Sequence, residues 1–193
     1  MRFFSTRILL LVAIALVLTV SPTMDAFAVS NDSNNQEAPR IYGKNRFETT
    51  VEISKNGWPN GSDTVIIAAG HSFPDALAGG PLAYQEDSPI LLTSTNKLPD
   101  ATIDEIRRLG AKKAIILGGS VAVSENIDKE LKAIGLTTER VYGKNRFETA
   151  VKIADSLNNP SDKAIVVNGF DFPDALAIAP YASKNGIPIL LTQ

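Results

Sequence analysis

An internal repeat is the feature that most constrains the fold of this chain. Segment 40–49 recurs as segment 140–149, and the two copies differ only at Ile41 and Val141. Two further blocks recur at an offset of 99 residues and in the same order, Phe73-Pro-Asp-Ala-Leu-Ala and Pro89-Ile-Leu-Leu-Thr. Blocks repeated in the same order indicate a tandem duplication, so we expect the fold to consist of units of about 100 residues.

Each unit alternates short apolar runs with helix signals. Thr64–Ala69, Ile90–Leu92 and Ala114–Leu117 are uniformly apolar or β-branched, which is typical of strands buried in a parallel sheet. Helix signals separate these runs, so the sequence predicts an α/β fold of tandem three-layer modules with parallel sheets. The second unit stops at Gln193, which corresponds to Ser94 of the first. We therefore expect an incomplete second module and a chain that is a fragment.

The chain ahead of the first repeat predicts export. Basic residues precede an apolar run over 8–20, and Ala26-Phe-Ala follows as a cleavage signal, so residues 1–28 are predicted to be a signal peptide. The run is shorter than the roughly 20 residues of a spanning helix, which predicts a secreted protein without a membrane span. Residues 29–39 are predicted to be a flexible leader, 40–140 the first repeat and 141–193 a truncated second repeat.

Composition narrows the classes of function. The chain has no cysteine, which excludes disulfide-stapled folds, thiol nucleophiles and thiolate metal sites. Its one histidine, His71, cannot supply a zinc site of two or three imidazoles, and its replacement by Phe170 in the second copy favours a packing or surface role. A net charge of −2 argues against a general nucleic-acid binder. We expect no metal, no cofactor and no nucleic-acid partner.

The basic residues of the duplicated block are the candidate binding site. They are Arg40, Lys44 and Arg46 in the first copy and Arg140, Lys144 and Arg146 in the second. Arg46 falls in the first turn of a predicted helix, where a cation meets the positive end of the helix dipole. One interpretation is a pocket for phosphate or carboxylate, built from these side chains and the free N–H groups of the helix. The other is an internal ion pair, for instance with Asp75, or plain solvation.

Other polar residues of the repeats have structural explanations. Asn45, followed three residues later by Glu48, forms a capping box, which predicts helices that begin near residues 46 and 146.

The carboxylates and glycines near the predicted strand ends are also given structural roles. For Asp75 and Asp174 we favour helix N-caps over catalytic bases. Gly118 and Gly119 lack the lysine and the further glycines of a phosphate-binding loop, so a tight turn is favoured. The sequence shows no nucleophile with a convincing base and no carboxylate pair with divided roles, so we predict no catalytic residues and no enzyme activity for this chain.

Four motifs in order resemble the bacterial cell-wall-binding repeat, type 2. In the first copy they begin at Arg40, Phe73, Pro89 and Ile115, and the resemblance extends over residues 40–140 and 141–193. It implies Rossmann-like or Toprim-like α/β modules that pack against other copies of the same module. It also implies a secreted Gram-positive protein, bound noncovalently at the cell surface to an anionic wall polymer such as a teichoic-acid-like glycan. Such a partner favours Arg46 and Arg146 as ligand contacts.

Two functional hypotheses follow, with a third behind them. The first is a noncatalytic module that anchors a protein to the wall polymer. The second is the N-terminal part of a wall hydrolase similar to N-acetylmuramoyl-L-alanine amidase, whose catalytic domain lies outside this chain. The third is a structural component of a surface layer or an adhesin.

Overall fold

The computed structural model describes residues 39–193, and residues 40–193 form one compact unit. The predicted signal peptide and residues 29–38 of the predicted leader lie outside the described residues. The unit contains two parallel sheets with helices between the strands, which confirms the predicted α/β class. Its longest helices have 12 residues, and within the described part no helix is long and apolar enough to cross a bilayer.

The larger sheet has four parallel strands in the order β2-β1-β3-β4. The strands are β1 Thr64–Ala69, β2 Ile90–Thr93, β3 Lys113–Leu117 and β4 Thr137–Val141. Ile66 of β1 lies opposite Ile90 of β2 and Ile115 of β3, so β1 is an interior strand. The chain leaves β1 toward β2 and then crosses back over β1 to reach β3. The order of the strands therefore reverses between β1 and β3.

β4 is a strand that the sequence pattern did not predict. Only Val141 of its five residues is buried, so β4 lacks the continuous apolar run that marked the other strands. Its partner is β3, where Arg140 lies opposite Ile116 and Val141 lies opposite Leu117. The start of the second basic block is therefore a strand in the sheet of the first repeat.

Helices cover both faces of this sheet. In chain order the helices of the whole unit are α1 Arg46–Gly57, α2 Pro74–Ala78, α3 Gly80–Gln85, α4 Asp100–Leu109, α5 Glu125–Ala133, α6 Arg146–Asp155 and α7 Pro173–Lys184. Val65 and Ile67 of β1 pack in the cluster that includes α4 and α5, while Ile66 and Ala68 pack in the cluster that includes α2, α3 and α6. All four are fully buried, and burial of each valine or isoleucine contributes about 1.5–3 kcal/mol.

The second repeat forms a smaller sheet and shares a core with the first. Its strands, β5 Ile165–Asn168 and β6 Ile189–Thr192, pair in parallel. Ile153 of α6 and Leu157, just after it, lie in the same buried cluster as Ile66, so the first helix of the second repeat completes a layer of the first. The contact is not reciprocal: Ile153 is 2% exposed, whereas its counterpart Ile53 in α1 is 47% exposed.

The helices over the Phe-Pro-Asp blocks differ between the copies. The first copy has two short helices that break at Gly79, whereas α7 is continuous with Pro180 inside it. The break lies two residues before Pro81, which sits in the first turn of α3, where its missing N–H costs nothing. A Cβ at Gly79 would collide with Leu117, so glycine lets these helices lie close against β3.

The N-cap assignments for Asp75 and Asp174 are wrong. Proline occupies the first position of α2 and α7, so the residues before it, Phe73 and Phe172, take the cap positions. Both aspartates lie one residue into their helices, and neither helix has a side-chain cap. Ser124 occupies the cap position of α5, and its buried hydroxyl has no hydrogen-bond partner among the described residues.

Candidate functional site

The duplicated basic block forms a capped helix start. Asn45 is the N-cap of α1, and its side-chain oxygen accepts hydrogen bonds from the N–H groups of Phe47 and Glu48, both at 3.0 Å. The Glu48 carboxylate accepts from the N–H of Lys44 at 3.0 Å, one residue ahead of the donor that a capping box uses. Asn145 is the N-cap of α6, where its side-chain oxygen accepts a hydrogen bond from the N–H of Glu148 at 2.9 Å. The capping side chains are hydrogen-bonded to the backbone, so of the polar residues in the block only the basic side chains are left for other contacts.

Arg46 and Arg146 each bind a carbonyl at the end of a strand. The Nη1 atom of Arg46 donates to the Gly70 oxygen at 2.6 Å, and that of Arg146 donates to the Gly169 oxygen at 2.7 Å. These bonds fasten each helix start to the loop after β1 or β5. The ion pair with Asp75 that the sequence left open is not formed, since neither arginine has a carboxylate within 4.0 Å in residues 39–193.

Arg140 and Arg40 have different surroundings despite their equivalent positions. Arg140 donates to the carbonyl oxygens of Gly118 at 2.9 Å and Val123 at 2.7 Å, and lies 3.6 Å from the carboxylate of Asp128. Its side chain is only 15% exposed, so it holds the loop after β3 rather than facing a ligand. Arg40 is exposed to solvent.

An open pocket of about 580 Å³ lies at the carboxyl end of the larger sheet. We call it the inter-repeat pocket, because the first repeat and the second both line it. Its residues are Ala69, His71, Ser72, Asp75, Thr95, Gly119, Ser120, Val121, Ala122, Tyr142, Gly143, Lys144, Asn145, Arg146 and Thr149. The pocket opens where the strand order reverses between β1 and β3, which is where open α/β sheets bind ligands.

Only part of the predicted binding set reaches this pocket. Lys144 and Arg146 line it, whereas the basic residues that do not are Arg40, Lys44, Arg46 and Arg140. Lys144 is exposed, and its side chain forms no ion pair in the part of the chain that the structure describes. The pocket lies between the loop after β3 of the first repeat and the basic block of the second repeat. The second block therefore lines it, whereas the first block has no preceding repeat among the described residues.

Asp75 is the buried polar residue of the pocket. It is 7% exposed, and burial raises the pKa of its carboxyl, while the nearby charge of Arg146 acts in the opposite direction. Its Oδ2 atom lies against Gly118, where a Cβ would stand 2.5 Å from that oxygen and where φ is +104°. Glycine at 118 therefore makes room for the carboxylate. The corresponding Asp174 is exposed.

Several lining residues were not singled out by the sequence. Tyr142, Ser72 and Thr95 follow β4, β1 and β2, and Ser120 follows β3. The signal that could have found them is their position, because the carboxyl ends of parallel strands meet at one edge of a sheet. Within residues 39–193 there is no group of three histidine, aspartate or glutamate side chains placed to hold a metal ion.

Comparison with known proteins identifies relatives of this chain. N-acetylmuramoyl-L-alanine amidase LytC of Bacillus subtilis (strain 168) is 42% identical over 154 residues, which are 80% of this chain and 31% of the amidase. The amidase enhancer of the same strain is 36% identical over 173 residues, which are 87% of this chain and 23% of the enhancer.

Solved structures show the same fold. Cwp6 from Clostridium difficile superposes with a TM-score of 0.75 and 32% identity, over 84% of this chain and 28% of Cwp6. Cwp8 from the same organism superposes with a TM-score of 0.75 and 36% identity, over 79% of this chain and 27% of Cwp8. The chain thus spans less than a third of each of these four proteins. The family model described as Cell wall binding domain 2 matches residues 40–128 and 140–193, and the chain belongs to this family.

Proposed function

We propose that residues 40–193 form a noncatalytic module that anchors its protein to an anionic cell-wall polymer, such as a teichoic-acid-like glycan. The observation that carries this proposal is the family match over both repeats. Amidase activity is named for LytC, of which this chain spans 31%, so we do not assign wall hydrolysis to these residues.

The charges in the inter-repeat pocket support an anionic ligand. Lys144 and Arg146 stand at the start of α6, where the helix dipole also favours negative charge. Lys144 has no carboxylate partner among the described residues, so its ammonium group is available to a phosphate or carboxylate of the polymer. Attraction of this kind between exposed charges weakens as salt is added.

Cosedimentation with purified Gram-positive cell walls tests the proposal. We expect the chain to bind intact walls, to bind less as sodium chloride is raised, and to lose binding after hydrofluoric acid removes the phosphodiester-linked polymers. Lys144→Ala should weaken binding, whereas Lys129→Ala, which removes an exposed lysine outside the pocket, should not. Binding that ignores both salt and polymer removal would refute an anionic ligand.

Export to the cell surface is the second part of the proposal. The basic start, the apolar run over 8–20 and the Ala-Phe-Ala signal support cleavage after Ala28. In a Gram-positive host we expect the chain in the wall fraction, with Val29 as the first residue by mass spectrometry. Retention of residues 1–28 on a cytoplasmic product would contradict this.

Packing with other copies of the module is the third part. Ile53 and Tyr181 are 47% and 58% exposed, while their counterparts Ile153 and Leu82 are each 2% exposed. The face by which a repeat packs on the preceding one is therefore open on α1, and the complementary face is open on α7, which supports packing of a further copy on each. Sedimentation velocity should show self-association that Ile53→Glu abolishes; a chain that stays monomeric at all concentrations would contradict packing between chains.

A further inference from the structure

Asp75 is a hydrogen-bond acceptor that the protein leaves unused. Its carboxylate lines the inter-repeat pocket at 7% exposure, and within residues 39–193 it accepts no hydrogen bond and forms no ion pair. Its oxygens stay open to the pocket, so a bound molecule can donate hydrogen bonds to them in place of water. The group therefore points to a ligand that carries donors.

The chemistry of a carboxylate restricts that ligand. An ionised carboxylate only accepts hydrogen bonds, and its two oxygens can receive two donors side by side. A phosphodiester carries a negative charge and has only acceptor oxygens, so it cannot donate a hydrogen bond to the Asp75 carboxylate. An ammonium group is disfavoured, because Lys144 and Arg146 already make the lining positive. Neutral donors remain, which are hydroxyl and amide N–H groups. A sugar carries such groups on adjacent carbons, where two of them can reach both oxygens of one carboxylate.

The rest of the pocket suits a sugar ring. Tyr142 is 55% exposed and lines the pocket, so its ring offers an apolar surface for the carbons of a sugar. Ser72 and Ser120 add hydroxyls that both donate and accept. Lys144 stands on the same wall of the second repeat, where it meets an anionic group attached to that sugar.

We propose that the inter-repeat pocket binds one sugar residue of the wall polymer, with the Asp75 carboxylate accepting hydrogen bonds from two adjacent hydroxyl groups of that sugar. This inference rests on the proposed anchoring function and adds a specificity to it: Lys144 meets the charge of the polymer, and Asp75 recognises its sugar. A polymer without adjacent free hydroxyls binds weakly.

The chain supplies a matched pair of variants for the test. Asp75→Asn removes one acceptor oxygen and the negative charge while it preserves the shape of the side chain. Asp174→Asn makes the same change at the equivalent residue of the second repeat, which is exposed and lies outside the pocket. In cosedimentation with walls, we expect Asp75→Asn to bind about tenfold more weakly than the unmodified chain, as for loss of a hydrogen bond to a charged group. Asp174→Asn should bind normally.

Chemical treatment of the walls distinguishes binding to the sugar from binding to the phosphate. Periodate cleaves adjacent hydroxyl pairs and leaves phosphodiesters intact, whereas hydrofluoric acid removes the phosphodiester-linked polymer altogether. We expect periodate to reduce binding of the unmodified chain to the level of Asp75→Asn and to have no further effect on that variant.

The two proposals fail in different ways. If the unmodified chain binds walls but Asp75→Asn binds equally well, or if periodate leaves binding unchanged, the sugar site is refuted and the anchoring function stands. If the unmodified chain binds no walls, or binds them equally after hydrofluoric acid, the anchoring function itself fails and the sugar site falls with it. Circular dichroism of both variants confirms that they are folded.

Discussion

Truncation of Ile153 tests whether the second repeat is built into the core of the first. Ile153 is 2% exposed in the cluster that contains Ile66, so Ile153→Ala removes three buried carbon groups. At about 0.8 kcal/mol per group, the transfer term is about 2.4 kcal/mol, and the cavity left behind adds to it. We expect a loss of about 3 kcal/mol in the free energy of unfolding, within the usual range of about 2–5 kcal/mol.

Ile53→Ala is the matched control for this substitution. Ile53 occupies the same position in α1, so the change in helix propensity is the same and cancels in the comparison. Because it is 47% exposed, its transfer term is about half as large, roughly 1 kcal/mol. The difference of about 2 kcal/mol between the variants corresponds to roughly 4–8 °C in Tm for a domain of this size.

Urea denaturation provides the measurement. Unfolding of the chain can be followed by circular dichroism and by the fluorescence of Trp58, its single tryptophan. Coincident transitions from the two probes indicate that the two repeats unfold together, as a shared core requires. Equal losses of stability for Ile153→Ala and Ile53→Ala, or a separate transition for the second repeat, would refute the one-sided packing of α6.

Three further predictions follow from the polar contacts, each checked by urea or thermal denaturation. Arg140→Ala should lower the free energy of unfolding by about 2 kcal/mol, because it removes charged hydrogen bonds to the loop after β3. Arg40→Ala, the control at the equivalent position, should change the free energy of unfolding by less than about 0.5 kcal/mol. Equal effects of the two substitutions would contradict this prediction. Arg108→Ala should lower the free energy of unfolding by about 3 kcal/mol. Arg108 lies 2.7 Å from the fully buried carboxylate of Glu105, so the substitution leaves that buried charge without its partner. A loss as small as that for a surface ion pair would contradict this prediction. Asp75→Asn should stabilise the protein at neutral pH. Burial raises the pKa of Asp75 above 3.8, so the folded state holds this proton more tightly and stability falls as pH rises from 3.8 through the folded pKa. Asn does not titrate, so the stability of the variant should not fall over this pH range, and in acid the two proteins should have similar free energies of unfolding. A variant less stable than the unmodified chain at neutral pH would contradict this prediction.

The duplicated block shows which features can be predicted from residues that are close together in the chain. The cap by Asn45 and the helix after it follow from residues within one turn, so they could be predicted from sequence. The roles of the arginines could not, because the oxygens of Gly70 and Gly118 that bind Arg46 and Arg140 lie 24 and 22 residues away in the chain. A positive charge near a helix start indicated that a partner exists, and only the packing of the loops identified it.

The aspartates show the limit of local reasoning at the site. Asp75 and Asp174 occupy identical hexapeptides, yet the first is buried in a pocket and the second is exposed. The difference arises from what surrounds them, since the β3 loop and the second basic block close over Asp75 only. No pattern within either hexapeptide carries that information.

By itself the sequence determined the α/β class, the repeated unit, the buried strands and the family resemblance, because apolar periodicity, caps and repeats are encoded by residues close together in the chain. The tertiary structure decided three things: that β4 completes the first sheet, that α6 packs into the core of the preceding repeat, and that Lys144 and Asp75 face one pocket. Each depends on contacts between distant segments, whose geometry follows from the packing of whole elements rather than from any single stretch of residues.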